Sequence, residues 1–320
     1  MDHAVTTRSL LARAGQAVIV LVSVAVATFA LGRILPGELA TAVLGDTATP
    51  EQIAEFNRKT GADQPAVEQF RTWFTGVLHG DFGTSALTGQ KVSDALADRA
   101  VPSLLLVVFA EVLALAVAVP LAVWAAYRRG KAPDKAANAG SFVLLATPQF
   151  AIAVLLIYIF AVQLGALPAT GYTPPEQDPA QTFRTLLLPA VTLALGLAAV
   201  YYRVLRAGVL ETLQQDYILA ARAQGLTPRQ VLFRHTLRPS LLPLVTLVGL
   251  NFGFLVGGAV IVEQLFAIPG LGTYALGAVQ TKDFTVLQGT VLLIAAVYVL
   301  VNLAVDLLYG VLDPRIRHAR

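Results

Sequence analysis

The stretch DYILAARAQGLTPRQVLFRHTLRPSLLP, Asp216–Pro243, is a basic segment between two long apolar runs. It carries four arginines and a histidine, whereas 56% of the whole chain is apolar and only 13% is charged. Apolar runs of such length are solvated by lipid, and charged segments between them are solvated by water. The contrast therefore predicts an all-α polytopic membrane protein in which this segment is a loop outside the bilayer.

The composition of the 320 residues agrees with a membrane protein and excludes several kinds of site. The mean hydropathy is +0.67, and Leu, Val and Ala form long uninterrupted runs. Without cysteine the chain cannot form disulfides, thiolate metal sites or a cysteine nucleophile. The four histidines lack the paired spacing of metal ligands, so no metal site is predicted. A net charge of +3 gives no reason to expect nucleic acid as a partner.

Six stretches are long enough to cross about 30 Å of hydrocarbon, which takes roughly 20 apolar residues. These predicted spans are residues 14–35, 102–127, 141–165, 186–208, 241–262 and 287–311. The first of them resembles a secretory signal, because Ala25-Val26-Ala27 mimics a cleavage site. Its apolar run continues to Leu35, beyond the usual signal core of about 7–15 residues, so we predict a retained helix.

The distribution of lysine and arginine predicts the orientation of the spans. Basic residues concentrate before span 1, between spans 2 and 3, between spans 4 and 5, and after span 6. Loops on the opposite side (36–101, 166–185 and 263–286) hold more acids. Both termini and the segment Asp216–Pro243 are therefore predicted to be cytoplasmic.

The first external segment is predicted to contain two helices rather than a tight turn. Thr49 suits an N-cap and Gly61 a helix end, while Phe70 and Phe74 belong to a second helical pattern. We interpret this segment as a lid on the membrane domain in preference to a ligand site. The chain then divides into an N-terminal helix with its external loop, residues 1–101, and a five-helix core, residues 102–320. Within that core, Pro269-Gly270 predicts a turn followed by a short amphipathic helix along the outer face.

The basic segment itself predicts two short helices joined by a turn. Small side chains, including Ala220 and Ala221, recur at helical spacing, and Gly225 suits the left-handed position that closes a helix. Thr227 followed by Pro228 and three residues later by Gln230 is a helix-start signature. Pro239 and Pro243 then lead into span 5. From the residues alone, the partner of this surface is either another protein or anionic lipid.

The sequence AARAQGLTPRQVLFRHTLRPSLLP resembles the EAA loop of the permease subunits of bacterial ABC importers, and in particular the dipeptide/oligopeptide/nickel class. Four other segments resemble that class in the same order: GADQPAVEQFRTWFTGVLHGDFGTS, LPATGY, GGAVIVEQLFAIPGLG and VNLAVDLLYGVLDPRIR. Two positions depart from the general loop pattern, because Leu219 occupies the glutamate position and Arg238 stands where the pattern has proline. The departures put in doubt any salt bridge that the glutamate would make with an ATPase.

The resemblance implies a type I ABC importer permease fold of the bacterial inner membrane, with a coupling loop at about residues 211–240. It also implies four kinds of partner: a second homologous permease subunit, two ATPase subunits, an extracytoplasmic solute-binding protein and the lipid membrane. ATP and magnesium would be held by the ATPase subunits, since the chain has no Walker A sequence: RRGKAP, 128–133, lacks the required flanking residues. The loop residues implicated in docking are Asp216, Ala220, Ala221, Arg222, Gly225, Arg229 and Arg234.

Ionisable residues within a span are candidates for function. Glu111 lies in span 2, and Asn302 and Asp306 share one face of span 6. We interpret them as inter-helix bonding groups, whereas a proton-coupled secondary transporter would use these carboxylates as a relay. The predicted function is import of di- or oligopeptides, with nickel or a metal chelate as an alternative cargo of the same family.

Overall fold

The computed structural model describes residues 3–34, 39–45 and 47–312, and most of these residues are helical. The helices are α1 His3–Ile34, α2 Leu39–Leu44, α3 Pro50–Thr60, α4 Ala66–Leu78, α5 Val92–Tyr127, α6 Ala132–Ala146, α7 Gln149–Leu156, α8 Pro179–Thr212, α9 Asp216–Ala223, α10 Pro228–Gln230, α11 Leu237–Gly258, α12 Val260–Leu265, α13 Leu271–Thr281 and α14 Phe284–Leu312. Two π-helical segments, Ile157–Gln163 and Val231–Thr236, continue α7 and α10. Within the described ranges the β structure is limited to an isolated bridge, Thr84–Lys91. The all-α prediction is confirmed.

Five of the described helical segments are long and apolar enough to cross a membrane. They are Arg13–Arg33, Val92–Tyr127, Pro179–Thr212, Pro228–Gly258 and Phe284–Val305. A sixth crossing is formed if the bent pair Ala132–Ala146 and Gln149–Gln163 counts as one span. The prediction of a six-span polytopic protein agrees with this count, although Leu35, the predicted end of span 1, lies outside the described residues.

The predicted third span, 141–165, is not one continuous helix. The chain bends by 102° between α6 and α7. Pro148 causes the break, because its ring disfavours helical backbone at the preceding residue, and Thr147 is indeed extended with ψ 125°.

The described chain separates into two compact units. One contains the residues up to Ser103 together with Val256–Val260 and Pro269–Val299; the other contains Leu104–Leu255, Ile261–Ile268 and the residues from Leu300 onward. The predicted division into 1–101 and 102–320 remains a prediction.

The first unit confirms the two helices expected in the long segment after the first span. Thr49 caps α3 through a reciprocal pair of hydrogen bonds with Gln52, and Gly61 ends that helix with φ 70°. In α4, Phe70 packs edge-on against Phe29 of α1 at a ring-centroid distance of 5.3 Å. Aromatic packing therefore fixes α4 to the first long helix.

Hydrogen bonds in the same unit fix the start of α14 and of α13. The Ser85 hydroxyl donates to the carboxylate of Asp283 at 2.5 Å, and the other oxygen of Asp283 accepts the Val286 N–H at the start of α14. The N–H of Leu271 donates to the Ser103 hydroxyl at 2.8 Å. Leu271 begins α13, the short helix predicted to follow Pro269-Gly270.

Helix α8 is the most deeply buried long helix of the second unit. Its most apolar stretch is 56% buried, against 28% for that of Pro228–Gly258. Tyr201 and Tyr202 are among the largest fully buried side chains. The α8 N-terminus is capped by Asp178, whose carboxylate accepts the N–H groups of Ala180 and Gln181. Because α8 is buried among other helices, its polar side chains can form hydrogen bonds and ion pairs with several of them.

Candidate functional site: the basic loop and a buried polar cluster

The basic loop, residues 211–240, begins with the short helix α9, Asp216–Ala223. Gly225 then adopts φ 81°, and the next residue, Leu226, donates its N–H to the Ala221 carbonyl at 3.3 Å. A non-glycine residue rarely adopts this left-handed conformation. The predicted glycine turn is confirmed.

The helix start predicted after the turn is also present. Thr227 and Gln230 form a capping box, in which the Thr227 N–H donates to the Gln230 amide oxygen at 2.9 Å and the Gln230 N–H donates to the Thr227 hydroxyl. This helix does not end before span 5. It continues through the π-helical segment Val231–Thr236 into α11, so the expected separate second helix is wrong.

A side-chain hydroxyl explains how the helix passes Pro239. Pro239 has no N–H to offer the His235 carbonyl, which instead accepts the Tyr217 hydroxyl of α9 at 3.4 Å. This hydroxyl donor replaces the missing backbone donor of Pro239, as commonly occurs at prolines in membrane helices. The Ser240 hydroxyl adds another side-chain hydrogen bond to the same turn by donating to the Thr236 carbonyl at 2.7 Å.

Buried side chains and a hydrogen bond between its two ends hold the loop in its shape. Ile218 and Ala221 of α9 are buried, and Ile218 is fully inaccessible. The hydroxyls of Thr212 and Ser240 are 3.0 Å apart, and Thr212 is the donor because the Ser240 hydrogen is engaged by the Thr236 carbonyl. The loop therefore has a defined conformation between the end of α8 and the start of α11.

The opposite side of the loop is exposed. Leu219 is 56% exposed, and the remaining exposed predicted residues are Asp216, Ala220, Arg222, Gly225, Arg229 and Arg234. Ala221, which the family resemblance implicates in docking together with Ala220, is not exposed, because α9 turns it inward beside Ile218. Residues three positions apart lie on the same helix face, so Ala221 follows Ile218 into the interior.

A buried polar cluster joins three long helices. The Tyr201 hydroxyl of α8 lies 2.9 and 2.8 Å from the two carboxylate oxygens of Glu111 on α5. The side-chain amide of Asn251 on α11 donates to the Tyr201 oxygen at 3.4 Å. Glu111, which the sequence presents as an isolated carboxylate, therefore has a partner from a distant part of the chain.

The other two intramembrane candidates, Asn302 and Asp306, both belong to α14. Asn302 is half-buried in α14. The side chain of Asp306 lies outside the described residues, so the inter-helix bonding role of Asn302 and Asp306 remains a prediction.

Sequence reasoning missed a buried ion pair closer to the C-terminal end of α8. Arg206 donates to Asp134 of α6 at 2.6 and 2.9 Å, and Asp134 also accepts the Gly130 N–H and the Asn138 amide. Arg206 was treated only as one of the basic residues that set orientation. The available signal was Asp134 itself, the single acid among the four basic residues at 128–135.

Two family models match the chain. Residues 118–318 match the model of the binding-protein-dependent transport system inner membrane component, and residues 6–106 match the model of the N-terminal part of such components. The chain belongs to this family of inner-membrane permeases. The first match contains the basic loop, the Asp134–Arg206 pair, Tyr201 and Asn251, whereas Glu111 lies between the two matched ranges.

Several named permeases are similar to this chain over nearly their whole length. A probable peptide ABC transporter permease protein of Sinorhizobium fredii is 37% identical over 309 residues, which are 97% of this chain and 99% of that protein. A glutathione transport system permease protein of Salmonella choleraesuis is 37% identical over 298 residues, 93% of this chain and 95% of the relative. The permease thus fits the peptide-transport class that its loop sequence indicated.

A solved structure shows the same fold. A chain of the inward-facing MetNI methionine ABC transporter covers 68% of this permease and 96% of its own length, with a TM-score of 0.56 and 20% identity. The fold of the permease is the type I importer fold.

Proposed function

We propose that this permease forms half of the translocation pathway of an ATP-driven importer for di- or oligopeptides or peptide-like solutes such as glutathione. The observation that carries the proposal is the near full-length similarity to permeases named for peptide and for glutathione transport. A nickel or metal-chelate importer of the same family is the alternative cargo assignment.

The proposed role of the basic loop is to dock a cytoplasmic ATPase subunit. Its exposed face presents the apolar Leu219, the small Ala220 and the charged Arg222, a composition suited to a protein partner. The two long helices that the loop connects, α8 and α11, are joined by a hydrogen bond between Thr212 and Ser240. A displacement of the exposed face would therefore move α8 and α11, because the loop is continuous with both helices.

The proposed assembly contains a second homologous permease, two ATPase subunits and an extracytoplasmic solute-binding protein. ATP and magnesium would be bound by the ATPase subunits. Both termini would lie in the cytoplasm of a bacterial cell, with the complex in its inner membrane, as the distribution of basic loops predicts.

Co-purification tests the docking role. Ala220→Trp places a bulky ring on the exposed face of α9, and we expect it to abolish recovery of the ATPases encoded beside the permease. Ala136→Trp, at an exposed position on α6, is the matched control and should leave ATPase recovery unchanged. Equal recovery of the ATPases by both variants would contradict the docking role. A panel of peptides, glutathione and nickel chelates titrated onto the solute-binding protein tests the cargo separately.

A further inference from the structure

A groove lies where two of the long apolar segments end. Segment Val92–Tyr127 ends at one side of it, and segment Pro228–Gly258 begins at the other. The groove has a volume of about 560 Å³, within the range of about 300–1,000 Å³ typical of cavities that bind drug-sized molecules. Its apolar lining comes from both segments: Val119, Pro120, Val123, Trp124, Leu232 and Phe233.

The aromatic residues of the groove are partly exposed. Trp124 is 45% exposed, Tyr127 is 40% exposed and Phe233 is 58% exposed. Tyr127 closes one end of the groove by directing its hydroxyl to the Pro228 carbonyl at 3.5 Å. Tryptophan and tyrosine concentrate at the boundary between hydrocarbon and water, where an apolar ring and a polar edge are both solvated.

Three arginines lie at or near this groove. Arg229 lines it, and the Arg128 guanidinium lies 5.3 Å from the centre of the Trp124 ring. Arg222 is near enough to Tyr127, another lining residue, for its charge to act on that side chain. Among the described residues none of the three forms a salt bridge with a carboxylate, whereas Arg206 does. The rim of an apolar groove thus carries positive charge that the described part of the chain does not neutralise.

We propose that this groove binds an anionic phospholipid, with an acyl chain along the apolar wall and the headgroup phosphate against Arg128, Arg222 and Arg229. Charge complementarity selects the occupant, because the groove combines a cationic rim with an apolar floor, and an anionic lipid combines the opposite charge with an apolar chain. The bound lipid would lie beside Pro228 and Arg229 of the basic loop. The proposal is independent of the cargo, and it shares Arg222 and Arg229 with the proposed ATPase-docking surface.

Fluorescence provides a direct test, because the chain has only two tryptophans and Trp124 is in the groove. The Trp73→Phe variant of the full chain, in which Trp124 is the remaining tryptophan, is reconstituted into phosphatidylcholine vesicles. Increasing fractions of brominated phosphatidylglycerol or brominated phosphatidylcholine are then added as quenchers. We expect half-maximal quenching at a lower mole fraction of the anionic lipid than of the zwitterionic one.

Each of Arg128→Gln, Arg222→Gln and Arg229→Gln should reduce this preference about fivefold, the effect of roughly one basic residue at a charged membrane surface. Arg234→Gln is the matched control, since Arg234 is an exposed arginine of the same loop that does not line the groove. Its preference should equal that of the parent protein, and millimolar inorganic phosphate should not reverse the quenching.

Three results would overturn the proposal. Equal quenching by the two brominated lipids would show that the groove does not select charge. A preference unchanged by the three groove variants would place the selective site elsewhere. Loss of quenching in the complex assembled with both ATPase subunits would show that a protein, rather than a lipid, occupies the groove.

Discussion

Arg206 of α8 forms a two-pronged ion pair with Asp134 of α6, its Nε 2.6 Å from one carboxylate oxygen and its Nη2 2.9 Å from the other. The side chains are only 20% and 5% exposed. The Gly130 N–H, at 2.9 Å, donates to the same carboxylate. One acid therefore fixes the turn between α5 and α6 to the central helix of its unit.

Removing one member of this pair should destabilise the permease strongly, because the other charge is left buried and unpaired. We expect Asp134→Ala to lower the free energy of unfolding by about 3–5 kcal/mol. Thermal unfolding followed by tryptophan fluorescence in detergent would measure it as a lower midpoint. The double variant Asp134→Ala/Arg206→Ala should lose less stability than the sum of the single variants.

The exposed pair Lys59–Glu55 on α3 is the control for that experiment, because solvent screens it. Lys59→Ala should leave the unfolding midpoint unchanged. A midpoint for Asp134→Ala as high as that of Lys59→Ala would refute a stabilising role for the buried pair.

The Glu111–Tyr201 contact distinguishes an inter-helix bond from a proton relay. Glu111→Gln keeps an oxygen that can accept the Tyr201 hydroxyl, so ATP-driven uptake should persist near its parent level. Glu111→Ala leaves a buried hydroxyl without its acceptor, which costs about 1–3 kcal/mol of stability. Uptake in vesicles and the unfolding midpoint measure the two effects.

A proton-coupled transporter would give the opposite pattern. In that case Glu111→Gln would abolish uptake, and uptake by the parent protein would need no ATPase subunits. Tyr201→Phe, which removes the hydroxyl and keeps the ring, should resemble Glu111→Ala in stability if the bond is structural.

Local sequence signals predicted the features that depend on local chemistry. The turn at Gly225 and the caps at Thr49 and Thr227 were all predicted because each depends on residues within four positions. Helix periodicity and apolar length likewise located the long helices. These features require no knowledge of which helices become neighbours.

Features that depend on distant parts of the chain were missed. Glu111 and Tyr201 are 90 residues apart, and Asp134 and Arg206 are 72 residues apart, so no spacing rule could pair them. The inward position of Ala221 follows from tertiary packing of Ile218 beside it. The bend at Pro148 could not be predicted from the local sequence, because neighbouring helices decide whether a proline is tolerated within a membrane helix or breaks it.

Close packing of α11 against α14 depends on Gly249. A methyl group at this position would overlap the Val305 side chain. Val305 is β-branched and has few alternative rotamers, so Gly249→Ala should lower stability by about 1–3 kcal/mol. Thermal unfolding measures the loss, and Val305→Ala should restore part of it in the double variant.

Gly196 is the matched control, because it is also a glycine within a long helix but has open space where a methyl group would be. Gly196→Ala should be neutral or stabilising by up to about 1 kcal/mol, the usual difference in helix propensity. If Gly249→Ala were equally neutral, the packing of α11 on α14 would have to be looser than the glycine contact indicates.

The left-handed conformation of Gly225 allows a second test of the basic loop, in which two side chains of similar size are compared at one exposed position. Nothing in this chain lies within 4 Å of the position where a side-chain carbon would be added, so within the permease a substitution acts through the backbone. Gly225→Val should be strained by about 1–2 kcal/mol at φ 81° and shift the turn, whereas Gly225→Asn tolerates this conformation. We expect the valine variant to insert into the membrane normally but to lose transport-coupled ATP hydrolysis in the reconstituted complex, and the asparagine variant to retain most of it. Equal coupling in both variants would mean that the angle set by this turn does not matter for the action of the loop.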